Sequence, residues 1–111
     1  MIGRTKIDNV ELADAGSGQK SHKTLNTITD DAGTEHDILR DNMPFGSPAA
    51  GEYGTYFLGY ARHVWVIERM LQRMFIGDPP GLHDRILDVS TPVTGSVFFA
   101  PSADALAALG D

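Results

Sequence analysis

The fold is decided by a stretch in the first half of the chain, residues 21–46, which has the sequence SHKTLNTITDDAGTEHDILRDNMPFG. Within it, the acidic and glycine-containing segment 30–34 predicts a turn that folds the chain back on itself. The segment that follows, residues 36–43, has the length and apolar content of a β-strand. Residues two apart on a strand share a face, so we expect Arg40 and Asn42 to point the same way.

The same stretch supplies a guanidinium, an amide and an imidazole, from Arg40, Asn42 and His22. These three groups are able to converge on one ligand if the turn brings His22 towards the strand. The residues alone leave a second interpretation open, because single histidines are usually surface groups and strand arginines are usually solvated or ion-paired. Motifs this short do not separate the two interpretations.

Length, charge and cysteine content restrict the class of protein. A chain of 111 residues forms one domain at most. Its net charge of −6 and its lack of a basic run argue against a nucleic-acid partner. With no cysteine, the chain has no disulfide, thiolate ligand or cysteine nucleophile. The start MIGRTK has no apolar signal region, and no apolar run approaches membrane length, so we expect a cytoplasmic protein without a membrane partner.

The aromatic residues are confined to one part of the chain. All Phe, Tyr and Trp residues lie between Phe45 and Phe99, although aromatics dominate the burial that holds small cores together. We therefore divide the chain into residues 1–35, an arm and loop that dock onto the rest, wrap a ligand or stay loose, and residues 36–111, which carry the sheet and the helices. This distribution also indicates a chain that is not complete in itself.

The rest of the chain predicts further elements. A turn over residues 44–54 is followed by a strand at 55–61, which is apolar on both faces and therefore expected to be central; Gly59 within it indicates close approach of another group. A helix is predicted over residues 63–75, with a core stripe formed by Val64, Ile67, Leu71, Met74 and Phe75.

The C-terminal third has weaker signals. Residues 83–88 predict a short helical turn, and residues 97–100 predict a last strand. A final helix is predicted over residues 103–109, with Ser102 as its N-cap and Gly110 after its end. The order of elements predicts an α+β fold, with an antiparallel sheet and helices packed on one face.

Several blocks of sequence follow one another in a specific order: IGRTK at 2–6, Ser21-His22, RDNMPFG at 40–46, GEYGTYFLGYA at 51–61, MFIGDPPG at 74–81, DRILD at 84–88 and TGSVFF at 94–99. Together they resemble the dye-decolorizing haem peroxidases, most closely the B-type branch. Members of that family are longer and are built from two ferredoxin-like halves. The resemblance therefore implies an incomplete ferredoxin-like domain, equivalent to the C-terminal, haem-binding part of such a protein.

The resemblance also implies roles for individual residues. His22 would be the axial ligand of the iron in haem b, Arg40 the distal arginine and Asn42 the distal asparagine. Asp84 would be the acidic partner of His22. The alternative for Asp84, from the residues alone, is an ion pair with Arg85 or Arg62.

General chemistry supports these roles. A metal-bound imidazole commonly donates its second N–H to a carboxylate, which makes the ligand more basic. Arg40 does not lose its proton in a protein, so it is no base, but its donors are able to stabilise negative charge on a peroxide.

The chain departs from the family in one respect that affects function. The family has a distal acid in a Gly-x-x-Asp-Gly block upstream of the matched region, and no Asp-Gly dipeptide occurs here. We therefore expect a fragment of a peroxidase that reduces hydrogen peroxide and oxidises dyes or other aromatic electron donors, with little activity alone. The alternative is a non-catalytic haem-binding or assembly module. Association with a missing N-terminal half, or with further copies as a homo-oligomer, is expected in either case.

Overall fold

A computed structural model describes residues 1–110 of the chain and has an α+β composition. In chain order the elements are α1 (His22–Leu25), β1 (Ile28–Thr29), β2 (Glu35–His36), β3 (Ile38–Ser47), β4 (Glu52–Ala61), α2 (Val64–Phe75) and α3 (Ala103–Ala108), with 3₁₀ turns at Pro48–Ala50 and Arg85–Asp88. Of the helices within residues 1–110, none has the length and apolar character needed to cross a membrane.

The predicted acidic turn closes a small antiparallel pair. Strand β1 pairs with β2 through Ile28 opposite His36 and Thr29 opposite Glu35. Between them, the Asp30 Oδ1 accepts hydrogen bonds from the main-chain N–H groups of Ala32 and Thr34, each at 2.9 Å. A carboxylate that binds main-chain donors two and four residues ahead stabilises a tight turn, so the prediction for this segment is confirmed.

Strands β3 and β4 form a long antiparallel hairpin, in which Ile38 lies opposite Ala61 and Arg40 opposite Gly59. This pair is antiparallel, as the predicted sheet requires, but the predicted turn over residues 44–54 was too long, because the connection is confined to residues 48–51. Pro44 and its neighbours remain extended because they have partners across the hairpin, and an edge strand tolerates a proline.

The prediction of a central strand at residues 55–61 is wrong for the described chain. Within residues 1–110, β4 pairs only with β3, and side chains on both faces remain exposed, including Tyr53, which is 77% exposed. The strand is apolar on both faces, as the sequence indicates. It is not central, because residues 1–110 do not form the layer that such side chains need for burial.

The predicted last strand at residues 97–100 is also wrong. Residues 90–102 adopt no regular element, and Phe99 is 90% exposed. A strand needs a neighbour for its ladder of hydrogen bonds, and the described chain offers none to this segment. The helix that follows is confirmed as α3, in which the Ala105 N–H donates to the Ser102 Oγ at 3.2 Å.

The core lies where α1 and β1 pack against α2. Its fully buried apolar residues are Leu25, Ile28, Val66 and Met70. The stripe predicted for α2 was therefore only partly right. Ile67 and Met74 contact the core, whereas Val64, Leu71 and Phe75 are exposed, because α2 is apolar on two sides and only one side meets α1 and β1.

Candidate functional site

His22 is the first residue of α1, and its position follows from the residues around it. Ser21 has extended backbone and acts as the N-cap, since its Oγ accepts a hydrogen bond from the Thr24 N–H at 3.3 Å. The His22 N–H donates to the Met1 carbonyl at 2.7 Å. The N-terminal arm therefore docks beside α1, as one of the sequence-based interpretations expected.

The His22 ring is held by a buried carboxylate. Asp84 Oδ2 lies 2.5 Å from His22 Nδ1, and the Asp84 side chain is 0% exposed. The other carboxylate oxygen, Oδ1, accepts the Ile86 N–H at 3.0 Å, while the Asp84 N–H donates to the Met74 carbonyl at 2.7 Å. Asp84 is thus fixed by the turn it begins and by the end of α2.

The alternative that paired Asp84 with Arg85 or Arg62 is wrong. Arg85 forms its ion pair with Asp88, and the Asp84 carboxylate contacts His22. A carboxylate at Nδ1 directs that nitrogen away from a metal and leaves Nε2 for coordination. The side chain of His22 is 31% exposed, so the ring is open to a ligand. These residues fit the axial side of a haem site.

Asn26 is a residue of this site that the sequence analysis missed. Its side-chain Nδ2 donates to the His22 carbonyl at 2.7 Å and lies 3.2 Å from His22 Nδ1. Residues four apart meet on one side of a helical turn, so the spacing was visible in the sequence. The helix has only four residues, and a single turn gives too weak a pattern to distinguish it from a loop.

Arg40 lies on the face of β3 that meets α1. Its Nη2 donates to the Asn26 carbonyl at 2.6 Å, so the guanidinium is tied to the residue that ends α1. Opposite it, Gly59 has little free space, since a Cβ there would lie 3.0 Å from the Phe57 ring and 3.6 Å from Ile38 Cγ2. The close approach predicted at Gly59 is therefore confirmed.

Asn42 follows on the same face of β3, two residues further along, opposite Phe57. The Asn42 side chain is exposed, and none of the hydrogen bonds among residues 1–110 joins it to His22, Asp84 or Arg40. The structure therefore joins His22 to Asp84 directly and links Arg40 to His22 through Asn26, whereas Asn42 is joined to none of these residues by the hydrogen bonds of residues 1–110.

A second network fixes both ends of α1. Before α1, the Lys20 Nζ lies 2.7 Å from Asp78 Oδ2; after it, the Thr27 carbonyl accepts the Arg73 Nη1 at 2.8 Å. Arg73 also donates to Asp78 Oδ2 from Nε at 3.1 Å and Nη2 at 2.9 Å. The hydrogen bond from Lys20, with those from Arg73, lowers the pKa of Asp78. The sequence analysis assigned no role to Arg73.

Comparison with known proteins covers nearly the whole chain. Residues 1–105 match the family described as Dyp-type peroxidase, C-terminal. This chain belongs to that family. The dye-decolorizing peroxidase of Mycobacterium tuberculosis is 58% identical over 106 residues, which are 96% of this chain and 32% of the relative. That of Brevibacterium linens is 57% identical over 105 residues, which are 95% of this chain and 29% of the relative.

Solved structures of the Dyp-type family agree in fold. A variant of DypB from Rhodococcus jostii RHA1 in complex with haem is 62% identical, with a TM-score of 0.86 over 98% of this chain and 35% of that chain. The encapsulated DyP-type peroxidase of Mycobacterium smegmatis is 56% identical, with a TM-score of 0.83 over 95% of this chain and 34% of that one. The predicted family and the predicted α+β, ferredoxin-like class are confirmed. The chain spans about a third of the length of the relatives it matches.

Proposed function

We propose that this chain forms the axial-ligand side of the haem site of a dye-decolorizing peroxidase, with His22 as the iron ligand of haem b. The observation that carries the proposal is the 2.5 Å contact between His22 Nδ1 and the buried Asp84 carboxylate. A histidine oriented in this way by a carboxylate is the usual arrangement of a metal ligand and its outer partner. Haem complexes among structural relatives more than 60% identical add support.

Asp84 has a defined role in this proposal. It accepts the hydrogen bond of the Nδ1 proton and so increases the electron density on the ring, which makes Nε2 a stronger donor. The haem, when bound, supplies the redox-active iron at which hydrogen peroxide is reduced. Burial of Asp84 keeps water from competing for its oxygens, and the bond from the Ile86 N–H keeps the carboxylate in one orientation.

Arg40 and Asn42 act on the substrate side in this proposal. The guanidinium is permanently charged and carries five N–H donors, so it stabilises negative charge that develops on a peroxide oxygen. Asn42 offers an amide, with both a donor and an acceptor, for a water or a peroxide. Neither side chain takes up a proton at neutral pH, so neither acts as a general base.

The proposed reaction couples reduction of hydrogen peroxide to oxidation of dyes or other aromatic electron donors. Cleavage of the O–O bond requires a proton to leave one peroxide oxygen and reach the other. The distal acid of the family lies in an Asp-Gly block, and this sequence has no such dipeptide. We therefore propose that the chain alone turns over slowly, if it is loaded with haem.

The open sheet supports association with the N-terminal half of such a peroxidase. The radius of gyration is 16.8 Å, whereas a compact chain of this length has about 13 Å. Aromatic residues are exposed on both faces of β4, with Tyr56 and Tyr60 on one face and Tyr53 on the other, and further layers would bury them. The division at residue 35, the homo-oligomer and the cytoplasmic location stay predictions.

A second candidate function is a haem-binding or assembly module without catalysis. The unpaired edges of the β3–β4 hairpin favour it, because exposed strand edges bind other strands. Both candidates require haem at His22 or a partner at the hairpin, but only the first reduces peroxide. Turnover of peroxide by the haem-loaded chain, in the presence of an N-terminal half, supports the peroxidase, and absence of turnover supports the module without catalysis.

The test of the ligand is a haem titration of the 111-residue chain. His22→Gly should lose the Soret band of histidine-ligated haem, and added imidazole should restore it by filling the vacated space. His83→Gly is the matched control, because His83 pairs with Asp88 on the surface. The His83→Gly variant should bind haem as wild type does. Equal haem binding by wild type and His22→Gly, without imidazole, would remove His22 from the site.

A further inference from the structure

Asn26 contacts both His22 and Arg40, although no sequence motif assigned it a role. It is the C-cap residue of α1 and is only 6% exposed. We infer that Asn26 is a positioning residue, which holds the axial imidazole through its side-chain amide and holds Arg40 through its carbonyl. The inference rests on the proposed function, since it takes His22 as the iron ligand.

The amide of Asn26 uses its donors on His22. One contact runs from Nδ2 to the His22 carbonyl at 2.7 Å, and the second places Nδ2 3.2 Å from His22 Nδ1. The main-chain N–H of Asn26 also donates to the His22 carbonyl, at 3.1 Å. A primary amide has two N–H donors, so one side chain reaches the backbone and the ring together. This arrangement closes the single turn of α1 around His22.

Two groups of opposite character therefore meet at His22 Nδ1. Asp84 Oδ2 accepts the hydrogen bond of this nitrogen at 2.5 Å, whereas Asn26 Nδ2 is a donor. A nitrogen that carries its proton does not accept a second hydrogen bond. The Asn26 amide therefore donates to the His22 carbonyl, and its close approach to Nδ1 restricts rotation of the ring away from Asp84.

The other side of Asn26 faces the hairpin. Its carbonyl accepts the Arg40 Nη2 at 2.6 Å, so the guanidinium is tied to the turn that carries His22. Buried polar groups are retained when they are hydrogen-bonded, and Asn26 meets that condition through both its main chain and its side chain. The same residue fixes the relative position of the imidazole and the guanidinium.

The test compares Asn26→Leu with Thr24→Val in the 111-residue chain. Leucine has the same branching and the same number of side-chain heavy atoms as asparagine but has no donor. Thr24→Val is the matched control, because Thr24 lies on the same helical turn as His22. Its hydroxyl forms hydrogen bonds with Ser21 and Asp14 and does not contact the His22 ring. Asn26→Leu should bind haem roughly 10-fold more weakly. It should also raise the Fe(III)/Fe(II) potential and lower the iron–histidine stretching frequency, and Thr24→Val should change neither. Asn26→Thr, which restores a hydroxyl donor, should recover part of the loss.

A measurement without haem keeps this inference separate from the proposed function. The nitrogen-15 shifts of the His22 ring in the haem-free chain report its tautomer and its hydrogen bonds, and they should differ from wild type in Asn26→Leu but not in Thr24→Val. Unchanged ring shifts, or equal changes in the two variants, would overturn the role of Asn26. Haem binding that survives His22→Gly would instead overturn the proposed ligand, whatever the ring shifts show.

Discussion

The two halves of the site differ in what holds them in place. The proximal unit, which consists of α1, β1, α2 and the turn that begins at Asp84, contains the buried apolar core and the buried carboxylate. Its polar contacts tie α1 to α2 on both flanks, through Lys20, Asp78 and Arg73. The position of His22, the proposed axial ligand, is therefore determined by contacts within this chain.

The β3–β4 hairpin has a different character. Each strand has ten residues, paired along its whole length, yet none of those residues is buried. Two-stranded sheets are marginally stable in water without a further layer, and this hairpin presents aromatic side chains on its open faces. The contrast teaches that His22, the proposed iron ligand, is positioned by contacts within the proximal unit, whereas the proposed substrate side depends on what covers the hairpin.

Truncation of the core should have the largest effect on stability. Met70→Ala removes a fully buried side chain of α2 and should lower the free energy of unfolding by about 3 kcal/mol. Leu39→Ala, on the exposed hairpin, should change it by less than about 0.5 kcal/mol. Urea unfolding of both variants measures the difference. Similar losses would show that the hairpin contributes as much to the fold as the proximal unit.

Replacement of the buried Asp84 carboxylate should have the next largest effect on the free energy of unfolding. Asp84→Asn keeps the shape of the side chain but removes the charge from its hydrogen bonds with His22 and the Ile86 N–H. We therefore expect the free energy of unfolding to fall by about 2 kcal/mol. Asp88→Asn is the control, since Asp88 pairs with Arg85 and His83 at the surface and should matter less. The same urea series reports both, and a larger loss in Asp88→Asn would contradict the local role given to Asp84.

Asp78 should show a pH-dependent effect. Its pKa is lowered by the hydrogen bonds from Lys20 and Arg73, so its contribution is present above the usual carboxyl pKa and is lost as pH falls through the lowered value. At pH 7, Asp78→Asn should cost no more than about 1 kcal/mol, because the group is partly exposed. The gap from wild type should shrink as the pH is lowered towards 3.

Asp41→Asn on the hairpin is the matched control for Asp78→Asn. The free energy of unfolding of the Asp41→Asn variant should follow that of wild type across the same pH series. A gap between Asp78→Asn and wild type that stayed constant from pH 7 to pH 3 would show that the ion pairs of Asp78 do not stabilise the fold.

Local signals in the sequence predicted the elements that are closed by near neighbours. The turn at Asp30, the antiparallel strands, α2 and the capped α3 depend on residues close in sequence, and each was recovered. The position of Asp84 against His22 came from the family resemblance, since residues 62 apart in sequence carry no local signal of contact.

The failures have physical causes. The central strand at residues 55–61 and the last strand at 97–100 were inferred from apolar side chains, but strands also need neighbours to pair with. The stripe of α2 was ambiguous because the helix is apolar on two sides, and only packing decided which side became buried. Asn26 was missed because a single helical turn gives too weak a pattern to separate from a loop.

The most direct test of the account combines haem loading and turnover in one preparation. The haem-loaded 111-residue chain should show a histidine-ligated spectrum that depends on His22, yet oxidise a dye with hydrogen peroxide far more slowly than the full-length peroxidase of Mycobacterium tuberculosis. Addition of the N-terminal part of that relative should raise the rate. Equal turnover by the chain alone and by the full-length relative would show that residues 1–111 hold the whole catalytic apparatus, and would contradict the division between a locally complete axial side and an incomplete substrate side.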